Sequence, residues 1–108
     1  MLPKHQRLNL KTEFSRVIKG KRFESPNFTL YLQSSASDIP RVGISIRTKN
    51  FGKAHNRNRA RRMTTQAIQN LYKDLLKSQD LIIMPKSGVL EIPVDLLTKE
   101  IANVLARH

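Results

Sequence analysis

Gly52-Lys53-Ala54-His55-Asn56-Arg57-Asn58-Arg59-Ala60-Arg61-Arg62 holds four arginines, a lysine and a histidine in eleven residues, with no acid among them. Apolar residues follow at helical spacing. Ala60, Met63, Ala67, Leu71 and Leu75 recur at steps of three and four, with Ile68, Tyr72 and Leu76 beside them. That period predicts a long amphipathic helix over about 54–77, with the arginines on its first turns. A helix start already carries partial positive charge and unpaired N–H groups. Four guanidinium groups there cost helix stability, and an anion from outside the chain offsets the cost. At 3.6 residues per turn, Arg59 and Arg62 project away from the apolar stripe, with Gln66 and Lys73 further along, and suit phosphate contact. Arg57 and Arg61, one turn apart, lie nearer the stripe and suit a cleft edge or a bidentate contact. A merely solvated basic face is the plainer alternative, but it leaves the conflict with the dipole unexplained.

On either side of this helix the pattern is that of strands. Arg41-Val42-Gly43-Ile44-Ser45-Ile46-Arg47 alternates, with Val42, Ile44 and Ile46 inward. Asp80-Leu81-Ile82-Ile83-Met84-Pro85 is a nearly continuous apolar run, as in a strand buried on both faces. A strand, a long helix and a buried strand predict a crossover unit with parallel strands. Upstream, Phe28-Thr29-Leu30-Tyr31-Leu32-Gln33 alternates cleanly and is expected to pair antiparallel with the strand at about 41–47. The shared polar face then carries Tyr31, Ser45, Arg41 and Arg47, a platform for single-stranded nucleic acid. A short edge strand is expected at Lys21-Arg22-Phe23-Glu24.

Leu10, Phe14, Val17 and Ile18 predict a short helix over about 10–19, stopped by Gly20 in a left-handed conformation. Phe14 and Ile18 share a face. Packing is the simpler role for Ile18, whereas Phe14 beside a basic surface can also stack on a base. The first eight residues read as an irregular or extended basic arm, and about 48–52 and 86–92 as loops. Pro93 opens a last helix over about 94–106, built on Val94, Leu97, Ile101, Val104 and Leu105. The sum is a two-layer α/β (α+β) sandwich: about four strands in a mixed sheet, three helices, and one domain spanning residues 1–108.

With 108 residues and 39% hydrophobic side chains the chain supports one modest core. Its formal net charge of +12 calls for a polyanionic partner. The charge is uneven: no acid lies between Asp38 and Asp74, while nine Lys or Arg residues do. Cysteine is absent, which excludes disulfides and thiolate metal sites. No apolar run is long enough to span a membrane, and a soluble cytoplasmic protein is expected. His5, His55 and His108 are scattered, the acids show no metal-ligand spacing, and the four glycines cannot build a nucleotide loop. These residues point to an RNA- or DNA-binding module rather than a self-contained enzyme.

The motif Arg57-Asn58-Arg59 with Ala60-Arg61-Arg62, preceded by Gly52-Lys53-Ala54 and the strand Arg41 to Ile46, resembles the bacterial ribonuclease P protein subunit. The segments Phe14 to Gly20, Phe28 to Tyr31 and Asp80 to Met84 follow in the family's order. The resemblance implies a sandwich like the second domain of a small-subunit ribosomal protein, with a left-handed crossover. It implies one protein per ribonuclease P RNA, and removal of the 5′ leader of precursor tRNA by that RNA with magnesium. No metal site on the protein itself is assigned. Lys53, Arg57, Asn58, Arg59, Arg61 and Arg62 then fall on the RNA-contacting motif. Phe14, Ile18, Tyr31, Ser45 and Arg47 fall on the leader-binding cleft. Ile18 stands where the family often has a second aromatic, and Arg47-Thr48-Lys49 replaces a common Ser-Lys-Lys. A general RNA-binding or ribosomal protein, and a stand-alone nuclease, are the alternatives left by the residues alone.

Overall fold

The computed structural model describes residues 2–75 and 77–107. The expectations that fell on Leu76 and His108, and on the first residue of the arm, lie outside the described residues. Four strands, β1 (Lys21–Glu24), β2 (Phe28–Ser34), β3 (Arg41–Ile44) and β4 (Gln79–Pro85), form one sheet in the order β1-β2-β4-β3. Among the described residues four α-helices accompany it: α1 (Leu10–Val17), the single turn α2 (Thr48–Phe51), α3 (Ala54–Leu71) and α4 (Val94–Ala106).

β4 is central because both of its faces are apolar. Leu81 and Ile83 enter the main core, while Ile82 and Met84 enter a second cluster on the opposite face. It pairs parallel with β3, as the crossover reading requires, and antiparallel with β2. The expected direct pairing of β2 with β3 is therefore wrong. Alternation in two half-buried strands says which face each buries, not which strand lies between them.

The main core sits between the sheet and helices α3 and α4. Phe28, Leu30 and Leu32 of β2 meet Ala60, Ala67, Ile68 and Leu71 of α3 and Leu97, Ile101 and Val104 of α4. Ala60 and Ala67 are fully buried, and these small side chains let the long helix lie close on the sheet. The other face is only partly covered, by α1 and the chain leading into it. Leu8, Val17, Ile82 and Met84 are buried there, with Leu10, Phe14, Ile18 and Tyr31 packed around them.

Several local expectations change. The N-terminal arm is not irregular: Lys4–Gln6 forms a 3-10 turn, and the Leu8 N–H then donates to the Val42 carbonyl at 3.0 Å. Gly20 is not left-handed; of the described glycines only Gly52 has positive φ, at 68°. Gly20 is needed because a Cβ there would lie 2.2 Å from the Leu32 carbonyl oxygen. The segment before α3 is one helical turn, not a loop, and 3-10 geometry takes over at Ser87–Glu91. α3 ends at Leu71, short of the expected 77. Tyr72–Asp74 tightens into a 3-10 turn, and the Tyr72 hydroxyl donates to the Pro40 carbonyl at 2.5 Å. Ser78, at φ 61°, then turns the chain into β4.

Candidate nucleic-acid interface

The start of α3 has no acid in its first turn, and no side chain caps it from Lys53. Its N–H groups and its cations therefore present positive charge together, the arrangement that suits a bound anion. Asn58, Arg59, Arg61 and Arg62 are exposed, as is Lys53, while Arg57 is half-buried. The Arg57 guanidinium turns back toward the Gly52 carbonyl at 3.4 Å, which places it where the helix start meets α2. Arg61 lies against a recess between the N-terminal arm and β3, lined by Leu2, Leu8, Leu10, Val42 and Ile44. Beyond it Arg62, Thr65, Gln66 and Gln69 continue the polar side of the helix. Arg59 and Arg62 thus face outward, Arg57 turns to the helix start, and Arg61, though exposed, takes the cleft-edge place expected of it. Arg61 stays in solvent at the rim of a groove.

A second basic surface lies on the α1 side of the sheet. Register sets it up. Arg22 of β1 stands opposite Tyr31 of β2, and Tyr31 opposite Ile82 of β4; one step along, Glu24, Thr29 and Met84 form the next row. Arg22, Thr29, Tyr31, Met84 and Lys86 line a recess of about 210 Å³ with Arg47, Lys49 and Asn50. Four cations thus surround one phenol ring. Two of them share a carboxylate: Glu24 meets Arg22 at 2.6 Å and Lys86 at 2.9 Å. The Lys86 ammonium, then the Thr29 hydroxyl at 2.9 Å, then the charge of Arg22 hold the Glu24 carboxyl down at about 2. The Arg22 guanidinium is held protonated above its usual range, first by the Tyr31 hydroxyl and then by Glu24.

Of the residues expected to form the cleft, Tyr31 and Arg47 meet in this recess. Phe14 and Ile18 do not line the recess; they are half-buried and pack, as Tyr31 does, against the second apolar cluster, so Ile18 has the packing role expected of it. Ser45 lies just past β3, half-buried, its N–H donating to the Ile83 carbonyl at 2.9 Å. Arg41, expected on the open polar face, is not available there. Its Nε donates to Asp80 Oδ1 at 2.9 Å and its Nη2 to Oδ2 at 2.8 Å. Arg22, Thr29, Lys49, Met84 and Lys86 escaped the sequence reading. A basic pair in an edge strand and a lysine after Pro85 were visible, but only the register puts them around Tyr31. Among the described residues no three His, Cys, Asp or Glu side chains come together. No helix among them is long and apolar enough to cross a membrane.

The fold and its two basic faces define a small RNA-binding α+β domain. The family model described as Ribonuclease P matches residues 2–108, and the chain belongs to that family. It is similar to the ribonuclease P protein component of Pectobacterium atrosepticum, 29% identical over 98% of this chain and 89% of the relative. That of Erwinia tasmaniensis is 30% identical over the same shares. The solved RNase P protein from Thermotoga maritima superposes with a TM-score of 0.83 at 26% identity, covering 94% of this chain and 96% of that one. A Staphylococcus aureus RNase P protein, described as a mutant with defective mRNA degradation activity, has the same fold at TM-score 0.83 and 23% identity, over 95% of this chain and 87% of that one. As a ribonuclease P protein component the chain is part of an endoribonuclease, binds RNA, and works in tRNA 5′ processing.

Proposed function

We propose that the two basic faces serve two RNAs. The start of α3, through Lys53, Arg57, Asn58, Arg59, Arg61 and Arg62, grips the catalytic RNA, and the sheet-face recess where Tyr31 and Arg47 meet takes the 5′ leader of precursor tRNA, with Phe14, Ile18 and Ser45 outside its lining. The observation that carries this reading is the recess itself, an aromatic ring set among Arg22, Arg47, Lys49 and Lys86 on a face apart from the main core. Cations beside an aromatic floor suit a single strand bound through phosphate and stacking, with little reading of sequence. In this reading the chemistry belongs to the RNA, with magnesium held through it. One protein serves each RNA in the cytoplasm, and the protein adds substrate affinity and phosphate neutralisation.

The test is reconstitution with a bacterial ribonuclease P RNA at low magnesium, scoring 5′ leader removal with and without the protein. Stimulation of cleavage is expected, greater for a substrate with a leader of several nucleotides than for one with a single nucleotide. No stimulation, or equal stimulation whatever the leader length, contradicts the reading. Cleavage by the protein without RNA would return the activity to the polypeptide.

A further inference from the structure

Asp80 is fully buried, with no exposed side-chain surface, in a protein of formal net charge +12. Two arginines from different elements converge on it. Arg41 of β3 takes both carboxylate oxygens, and Arg16 of α1 donates from Nη2 to Oδ2. Arg16 is itself held on two further sides, by Glu13 Oε2 at 2.8 Å and by the Ser34 carbonyl at 2.7 Å. Glu13 also reaches Arg41 at 3.9 Å. The cluster is thus two carboxylates and two guanidinium groups, formally neutral, tying α1 to β2, β3 and β4 at once.

Its place on the sheet gives it a consequence. Asp80, Ile82 and Met84 alternate onto one face of β4, the face that α1 covers and that carries the recess at its other end. α1 is only eight residues long, and Val17 is its one fully buried side chain. Leu10, Phe14 and Ile18 pack on the same cluster but are only partly buried, so apolar contact alone is a weak guide to the helix's exact position and a directional contact adds to it. The Asp80 cluster supplies such directional contacts, and α1 brings Phe14 and Ile18 onto the same apolar cluster that Tyr31 packs against.

We propose that Asp80 is a specificity-determining residue of the leader site, acting through Arg16 and Arg41. It fixes the position of α1 on the sheet face that carries the recess. It also withholds two guanidinium groups from the face where they would bind any phosphate. The inference rests on the leader reading of the recess and deepens it.

The test compares the parent protein, Asp80→Asn and Arg16→Gln, each bound to the same ribonuclease P RNA, for affinity toward long-leader and single-nucleotide-leader precursor tRNA. It also measures each free protein on a non-cognate single-stranded RNA across a salt series. For Asp80→Asn the preference for the long leader should fall severalfold. Non-cognate binding should tighten, with the slope of log K against log salt steepening by ~0.7 for each phosphate newly neutralised. Arg16→Gln leaves the Arg41 pair in place, so it should lose leader preference without the steeper slope. Should Asp80→Asn fail to fold by circular dichroism, Arg16→Gln decides alone: unchanged leader preference in that variant overturns the proposal. So does a folded Asp80→Asn that keeps the parent's preference, or that loses both substrates equally with an unchanged slope. A parent protein with no leader preference overturns the leader reading first, and this inference with it.

Discussion

Glu24 stands between Lys86 and Arg22, and its carboxyl falls from an ordinary 4.5 to about 2. A folded-state value below the unfolded one contributes stability above the unfolded value, and that contribution is lost as pH falls through the folded value. The loss therefore begins below about 4.5 and is complete below about 2. Carboxyl carbon shifts followed by NMR should show Glu24 titrating near 2, and Glu24→Gln should flatten that part of the acid unfolding curve. The ions are largely solvated, so the effect on total stability is small. Tyr31 supports a larger prediction. Tyr31→Ala removes the ring from the recess and, at ~1–3 kcal/mol for a stacked base, should raise KM for a long-leader substrate roughly fivefold to a hundredfold. Binding of mature tRNA should be untouched; equal loss on both would show that the ring does not meet the leader. At this scale the exposure of Arg59 and the inward turn of Arg57 were legible from helical spacing, whereas the setting of Tyr31 comes from strands distant in sequence. The sequence was blind to Asp80, which looks like one more acid in a neutral C-terminal third until β3 and α1 bring two arginines onto it.

Gly20 shows how an element can be anticipated for the wrong reason. The glycine after α1 does mark the helix end, but its backbone is not left-handed, and what it supplies is room for the Leu32 carbonyl. Gly20→Ala sets a Cβ 2.2 Å from a backbone oxygen in β2, and strand and helix end cannot both stay in place. It should destabilise by ~1–3 kcal/mol, in the range of an overpacked interior. A urea midpoint compared with that of Gln66→Ala, an exposed change expected within ~0.5 kcal/mol, checks it. The ends of the other elements divide in the same way. α4 begins and stops where Pro93 and the apolar period say, because both signals are local. α3 stops six residues short of its apolar period because Tyr72 reaches across to Pro40, a contact 32 positions away. The order β1-β2-β4-β3 was legible only in part. The two-faced apolar run of β4 marked a central strand, yet nothing near β2 and β3 says that β4 separates them.

For the molecule as a whole, the question is where the positive charge acts. Twenty basic side chains against eight acidic ones give a formal net charge of +12, but the excess is not uniformly available. Arg16 and Arg41 are neutralised by Asp80 and Glu13, and Arg22 and Lys86 share Glu24. The start of α3 has no such partners in its first turn, so Lys53, Arg57, Arg59, Arg61 and Arg62 keep their charge for an external anion. Five phosphates of the catalytic RNA met by these five groups would each contribute ~0.7–0.9, the range between a single strand and a duplex, and the slope of log K against log salt should lie between about −3.5 and −4.5. Replacing Arg57 and Arg61 together by Ala should make that slope shallower by ~1.4–1.8 and weaken assembly with the catalytic RNA most at low salt. Replacing Lys99 and Arg107, both exposed on or just after α4, adds the same change in net charge far along the chain from the motif. Overall charge alone predicts equal losses from the two pairs. A local grip at the helix start predicts a loss confined to the first pair, and filter binding of all three proteins across a salt series separates the two.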